Sequence, residues 1–308
     1  MEIDKTTLND LAVFNTEEEF SIFRYLDFTL TSNGKEQLKR NLLIPLQRIE
    51  SITGIQQTLG LILLKQKQWP GQISNGSIMV VERFYDAQVD MIPANVSAAN
   101  AYSYKLLHAP DFSLIKYSVT HCFDFIKGML QMVDLFLRED CPPPLHKLLE
   151  EVKKITAQEA FNTVRSYKTA KELSLQQTLQ LAHFILYKFK ANMHSLLHIH
   201  AQLDAWYGMA MAIQKHNLVF PGFIASEQPF IEVSGLYHPL LSHAVSYDVN
   251  MNRQTNFLFL TGANMAGKST FIKAVGISVY LAHLGLGVPA KKMELSLFDG
   301  MLSNINVI

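Results

Sequence analysis

Apolar positions recur at helical spacing through most of the chain and change period only near its end. Phe20, Ile22, Phe23, Leu26 and Leu30 mark a first helix, and Thr31 to Gly34 punctuate it. Ser32 is placed to cap the next helix, which continues from Lys35 to Leu43 and ends before Pro45. Ile49 to Lys67 predicts another, closed by Trp69-Pro70-Gly71. Residues 70–80 and 90–112 hold Pro, Gly, Asn and Ser without a period and predict no definite element. From Ser118 to Arg138 the pattern is helical, with Val119, Phe123, Ile126, Leu130 and Val133 on one face and the prolines after Cys141 as a stop. Leu145, Leu148, Leu149, Val152 and Ile155 give the next helical face. Ala170 to His216 contain no proline and one glycine, and Leu179, Ala182, Ile185, Leu186, Phe189, Met193, Leu196 and Leu197 form one stripe. A continuous helix of about 45 residues would span about 65 Å, a strut or lever between distant sites.

After Val219-Phe220-Pro221-Gly222 the period shortens. Phe230 to Val233 and Tyr247 to Val249 read as short strands, and Phe257 to Leu260 as a buried one. Two domains follow: a mostly α region over 1–225, and a partial α/β region over 226–308.

The stretch after that last strand carries the chemistry. Gly262, Ala263, Asn264, Met265, Ala266, Gly267, Lys268, Ser269 and Thr270 fill and extend the pattern G-x-x-x-x-G-K-S/T, the phosphate-binding loop. Glycines let the backbone approach a polyphosphate without a Cβ in the way, and successive N–H groups form an anion nest. The helix that follows, from Phe271 to Leu286, adds its positive N-terminal end. Lys268 is placed to reach the β- and γ-phosphates, and the Ser269 hydroxyl to sit on Mg²⁺. Nucleotide hydrolysis needs a further acid at the end of an apolar strand. Glu294 and Asp299 are the acids after Lys268, and neither ends such a run. The chain is therefore expected to stop partway through its nucleotide domain, binding a nucleotide with Mg²⁺ but hydrolysing little.

Composition narrows the alternatives. Of 308 residues, 48% are apolar and 18% charged, with a formal net charge of zero, so no global basic excess advertises nucleic acid. Charge is locally uneven. Residues 1–20 hold six acids against Lys5, and residues 142–200 hold eight Lys/Arg against four Glu. The basic excess suits either a DNA phosphate path or a solvated helix face. Glu17-Glu18-Glu19 fits a helix start. Cys122 and Cys141 lack disulfide or metal spacing, and no signal or membrane-spanning run is present, which predicts a cytoplasmic protein. His194 and His198 stand one turn apart near His200, a spacing a metal could use, although no acid follows and a partly exposed helix face accounts for it.

Together these residues resemble the MutS family of DNA mismatch-repair ATPases. The loop shares that family's Asn-Met pair. Leu281 to Gly285 with Val288-Pro289-Ala290, Phe298-Asp299, Gly235 to Leu241, Leu203-Asp204-Ala205 with Pro221, and Leu26 to Pro45 (with Thr31, Gly34 and Leu38) are similar to its other motifs. The resemblance implies a helical core with levers joined to an ABC-like P-loop ATPase head. It further implies heads that dimerise around shared ATP sites, DNA as partner, and Asn264 near the γ-phosphate. Departures are Ala263 and Ala266 for the common Pro and Gly, Tyr237 for Arg, and Asn304 for a basic residue. Tyr247 stands in a shifted position where the family stacks an aromatic on adenine. The mismatch-reading domain has no counterpart, and Phe230-Ile231-Glu232 matches its wedge by letters alone. Mismatch reading by this chain is not expected. The alternative is a scaffold for DNA or protein whose ATPase head is vestigial.

Overall fold

The computed structural model describes residues 1–15, 20–263 and 266–305. The Glu17 to Glu19 run lies outside them. The helices are α1 (Lys5–Asp10), α2 (Ile22–Leu26), α3 (Ser32–Leu42), α4 (Ile49–Lys65), α5 (Asn75–Phe84), α6 (Ala98–Leu107), α7 (Ala109–Phe136), α8 (Pro143–Thr156), α9 (Asn162–Ser166), α10 (Leu175–Lys188), α11 (Lys190–His216) and α12 (Lys268–His283). The strands are β1 (Glu2–Ile3), β2 (Gly222–Phe223), β3 (Ile231–Leu236), β4 (Tyr247–Met251), β5 (Lys292–Leu295) and β6 (Gly300–Met301). A mostly α chain with a small α/β part is what the change of period predicts.

The chain divides into two compact units. The first gathers Met1–Thr29, Gly34–Leu64 and the described part of Asp204–Ile308; the second gathers Leu30–Asn33 and Lys65–Leu203.

The second unit is helical. Phe112, Ile115, Val119, Phe123, Ile126, Met129, Met132 and Phe136 of α7 are buried, and α7 packs against α5, α6, α8, α9 and α10. A helix buried on most of its circumference is a core element rather than a surface one. The unpatterned 90–112 stretch forms α6 and the start of α7; Ser97 caps α6 by accepting from Asn100 N–H. Ser32 lies inside α3, and its N–H donates to the Asn75 side chain at 2.6 Å.

The predicted lever is not one helix. A short 3₁₀ turn at Ala170–Glu172 precedes α10, which begins at the Ser174 capping box, and α10 and α11 are separated at Phe189 (φ −118°, ψ 4°). Phe189 is fully buried, with ring centroids 4.8 Å from Phe161 and 5.4 Å from Phe184. Packing of this aromatic cluster accompanies a break that no Pro or Gly marks. The apolar stripe stays buried across it at Leu179, Ala182, Ile185, Met193 and Leu196.

In the first unit, β2-β5-β3-β4 form a sheet in that order. β2 runs parallel to β5, while β3 is antiparallel to β5 and β4. A second, two-stranded sheet pairs β1 with β6 in parallel, Glu2 against Gly300 and Ile3 against Met301. Thr7 Oγ1 accepts from Ser303 N–H at 2.8 Å, and the Asp10 carboxylate accepts from Ser303 Oγ and Ile305 N–H at 2.7 and 2.9 Å. The first ten residues are thus part of the α/β region.

The buried strand expected at Phe257 to Leu260 is absent. Those residues form no ladder, and Phe257, Leu258 and Phe259 are 81%, 50% and 76% exposed. An apolar run becomes a strand only when a neighbouring backbone satisfies its N–H and C=O groups, and no described strand lies alongside it.

Candidate functional site: the loop at the start of α12

The loop sits between the unpaired 257–260 run and α12. Gly267 is the N-cap of α12 and takes φ 87°, ψ 11°, in the left-handed region that excludes most side chains; Gly262 has φ 152°. Ala266 N–H donates to Ala263 C=O at 3.2 Å, curling the loop, and Phe271 N–H donates to Gly267 C=O at 2.9 Å to open the helix. The N–H groups of Lys268, Ser269 and Thr270 therefore fall in the first turn, where a helix has no carbonyl of its own to offer and its dipole favours an anion.

Lys268 reaches back across the loop. Its ammonium donates to the carbonyls of Gly262 at 2.6 Å and Ala263 at 2.8 Å. The charge is held over the concave side of the loop by acceptors weaker than an anionic oxygen. Ser269 is exposed and Thr270 partly so, both in the first turn of α12. Asn264 and Met265 lie outside the described residues.

Tyr247, at the start of β4, stands against this loop. Its ring meets Phe271 edge-on with centroids 5.2 Å apart, and its hydroxyl lies 3.7 Å from where a Cβ on Gly267 would project. The aromatic in the shifted sequence position is therefore a neighbour of the loop.

Beneath the first turns of α12 lies an apolar trough of about 610 Å³. Leu258, Leu260, Phe271, Val275, Val249 and Ile305 contribute to its walls. The far end of α12 is anchored differently. His283 Nε2 accepts from Phe298 N–H at 3.3 Å, which leaves the proton on Nδ1 to donate to Leu46 C=O at 3.1 Å. Burial, with a smaller contribution from the N-terminal charge, pushes the His283 pKa down against the opposing bond to Leu46, in keeping with a neutral ring.

Sequence comparison matches this part of the chain to MutS domain V over residues 258–307. The DNA mismatch repair protein MutS of Lactobacillus johnsonii is 33% identical over 111 residues, 34% of this chain and 13% of the relative. Those of Petrotoga mobilis and Geobacillus thermodenitrificans are 31% and 32% identical over 109 and 111 residues, again 34% of this chain and 13% and 12% of theirs. Over this stretch the chain is similar to the MutS family. The matched stretch spans about an eighth of these MutS relatives' length.

Other MutS-like motif residues lie where they support α12 and the sheet. Tyr237 N–H donates to Pro289 C=O at 3.0 Å, and its hydroxyl to His216 C=O at 3.4 Å. His238 is nearly buried, and its Nδ1 accepts from Leu240 N–H at 3.3 Å. Burial, then the charge of Lys273, lowers the His238 pKa. Glu294 pairs with Lys292 at 3.1 Å, and Asp299 offers its backbone carbonyl to Glu2 N–H at 2.6 Å.

In the second unit, every Lys and Arg from 147 to 190 is exposed, an arrangement both readings of that charge share. His194 and His198 are exposed, whereas His200 is buried against Phe125. None of the three joins a metal-competent cluster among the described residues. No helix among the described residues is long and apolar enough to cross a membrane.

Proposed function

We propose that this chain binds ATP with Mg²⁺ through residues 262–270 and, as a MutS-like protein, couples its nucleotide state to DNA. The observation that carries the reading is Gly267 in the left-handed region at the N-cap of α12, with the Lys268 ammonium folded over the loop. A triphosphate would take the Lys268 ammonium from the two carbonyls as charged oxygens replace neutral ones. First-turn N–H groups would bind the same phosphates, and the exposed Ser269 hydroxyl would hold Mg²⁺. The donor set fits the ligand: backbone N–H groups, one ammonium and one hydroxyl, on a loop whose glycines admit close approach.

Hydrolysis belongs to a different residue class. The sequence offers no acid ending an apolar strand after the loop, so turnover is proposed to depend on a further acid. Pairing of two heads around nucleotide, action in the cytoplasm, and transmission through the α10–α11 region with its exposed lysines to DNA are part of the same proposal.

Titration with a fluorescent ATP analogue, with and without Mg²⁺, tests it. Saturable binding is expected, weakened at least tenfold in Lys268→Ala and less Mg²⁺-dependent in Ser269→Ala, with retention of short duplex DNA shifting when ATP is added. A scaffold reading draws on the exposed Phe257, Leu258 and Phe259 beside the apolar trough. DNA or protein binding indifferent to ATP and to Lys268→Ala would establish that reading instead.

A further inference from the structure

A cluster in the second unit plays no part in the nucleotide loop. Asp90 lies between α5 and α6, His108 is the residue joining α6 to α7, and Asp111 stands in the first turn of α7. One ligand atom from each, two carboxylate oxygens and an imidazole nitrogen, all lie within 4.8 Å of one another. His108 Nδ1 is 2.5 Å from Asp90 Oδ2.

A second ring of contacts holds these groups in place. Asp111 Oδ2 accepts from Asp90 N–H at 2.9 Å. The Tyr104 hydroxyl donates to Asp90 C=O at 2.8 Å, and the Tyr104 ring lies 4.9 Å, centroid to centroid, from His108. Contacts of this kind hold metal ligands in orientation.

Capping α7 does not account for the set. Asp111 alone supplies the acid that favours a helix start, yet a second carboxylate and an imidazole converge on it. The donors are two oxygens and one borderline nitrogen, without a thiolate. This is a three-ligand set that Zn²⁺ completes with water, whereas Mg²⁺ and Ca²⁺ favour all-oxygen shells. The Asp90 side chain is 64% exposed and that of His108 36%, so an ion reaches the cluster directly from solvent.

We propose that Asp90, His108 and Asp111 form a divalent transition-metal site, best suited to Zn²⁺, that ties the 85–97 loop to the junction of α6 and α7. An open, partly exposed site of three ligands is expected to bind in the micromolar range.

The test uses the full chain, stripped with a chelator, returned to chelator-free buffer and titrated with zinc sulfate by calorimetry. One Zn²⁺ per chain is expected, with affinity at least tenfold lower in His108→Ala and in Asp111→Asn. Circular dichroism without zinc shows whether each variant keeps its fold. Asp90→Asn, on an exposed loop, gives a third reading should a helix-start variant fail to fold, and it is expected to weaken binding as well. Absence of binding at equimolar zinc overturns the proposal. So does binding that all folded variants retain, which would assign the ion to other groups such as His194 and His198.

Discussion

In its first turn α12 turns Ser269 and Ile272 to solvent, leaves Lys268 half-buried, and begins on a glycine in the left-handed region; from Ile277 to His283 every residue is buried. One helix thus meets water and a glycine turn at one end and a packed interior at the other. The buried end holds Tyr280, fully buried with its hydroxyl donating to Leu42 C=O, and His283, both of whose ring nitrogens are engaged. The difference separates two roles that a single helix could confuse. Contacts that set stability collect at the C-terminal end, while groups suited to an anion collect where few contacts restrain them.

The sharpest way to break this comparison is to empty the buried end. Tyr280→Ala is expected to cost about 3–5 kcal/mol, as for other large aromatic truncations in cores, measured by urea denaturation. A loss below about 1 kcal/mol would show that α12 is not anchored there.

Acid tests the buried histidines. Burial pushes His200 down to about 4 and lowers His283 as well. With folded pKa values below the unfolded value near 6.5, the unfolded chain takes up protons first as pH falls. Stability is therefore full above about pH 6.5 and declines below it, and His200 alone removes about 2 kcal/mol by pH 5. Urea midpoints at pH 7 and pH 5 should differ accordingly, and His200→Leu should flatten the slope. A slope unchanged in that variant would move the effect to His283 and His238 in the first unit.

Smaller changes sharpen the contrast. Tyr280→Phe leaves the buried Leu42 carbonyl without its phenolic donor and is expected to cost about 1–2 kcal/mol in the same assay. Lys268→Ala, at the exposed end, is expected to move stability by less than about 0.5 kcal/mol while weakening the ATP analogue at least tenfold, about 1.4 kcal/mol. Comparable stability losses from Lys268→Ala and Tyr280→Ala would erase the distinction between the two ends.

What the sequence made legible follows the range of the forces involved. The glycine turn before α12 could be read because its requirements are local: glycines where φ is positive, a lysine in the next position, a helix after it. The face of α7 could be read from Ser118 onward because a 3.6-residue period repeats there over about five turns. One close approach joins residues that the resemblance names only separately. Gly34 and Asp204, from separate MutS-like motifs, meet in the first unit, where a Cβ on Gly34 would occupy the place of the Asp204 carboxylate.

Phe257 to Leu260 could not be read locally, because a strand is a property of two chains of backbone and only one was visible. The break at Phe189 was hidden for a related reason: it accompanies packing against Phe161 and Phe184, not any residue that forbids a helix. Asp90, His108 and Asp111 lie in a stretch without periodicity, and the spacing of 18 and 3 residues matches no metal motif. The Asp10 contacts to Ser303 and Ile305 left no trace in sequence either.

The pairing of β1 with β6 sets an order on synthesis. Glu2 emerges from the ribosome almost three hundred residues before Gly300, its partner, exists. Residues 65–203 of the second unit, with all but four of its residues in one continuous run, can be complete by then. The first unit leaves β1 without this partner until β6 is made, and the pairing closes one of the longest loops between the described residues. Loop closure of that span adds only slowly to the entropy cost, but such non-local pairing is slow to form. The pairing of β1 with β6 in the α/β unit therefore waits on residues made after the whole of 65–203.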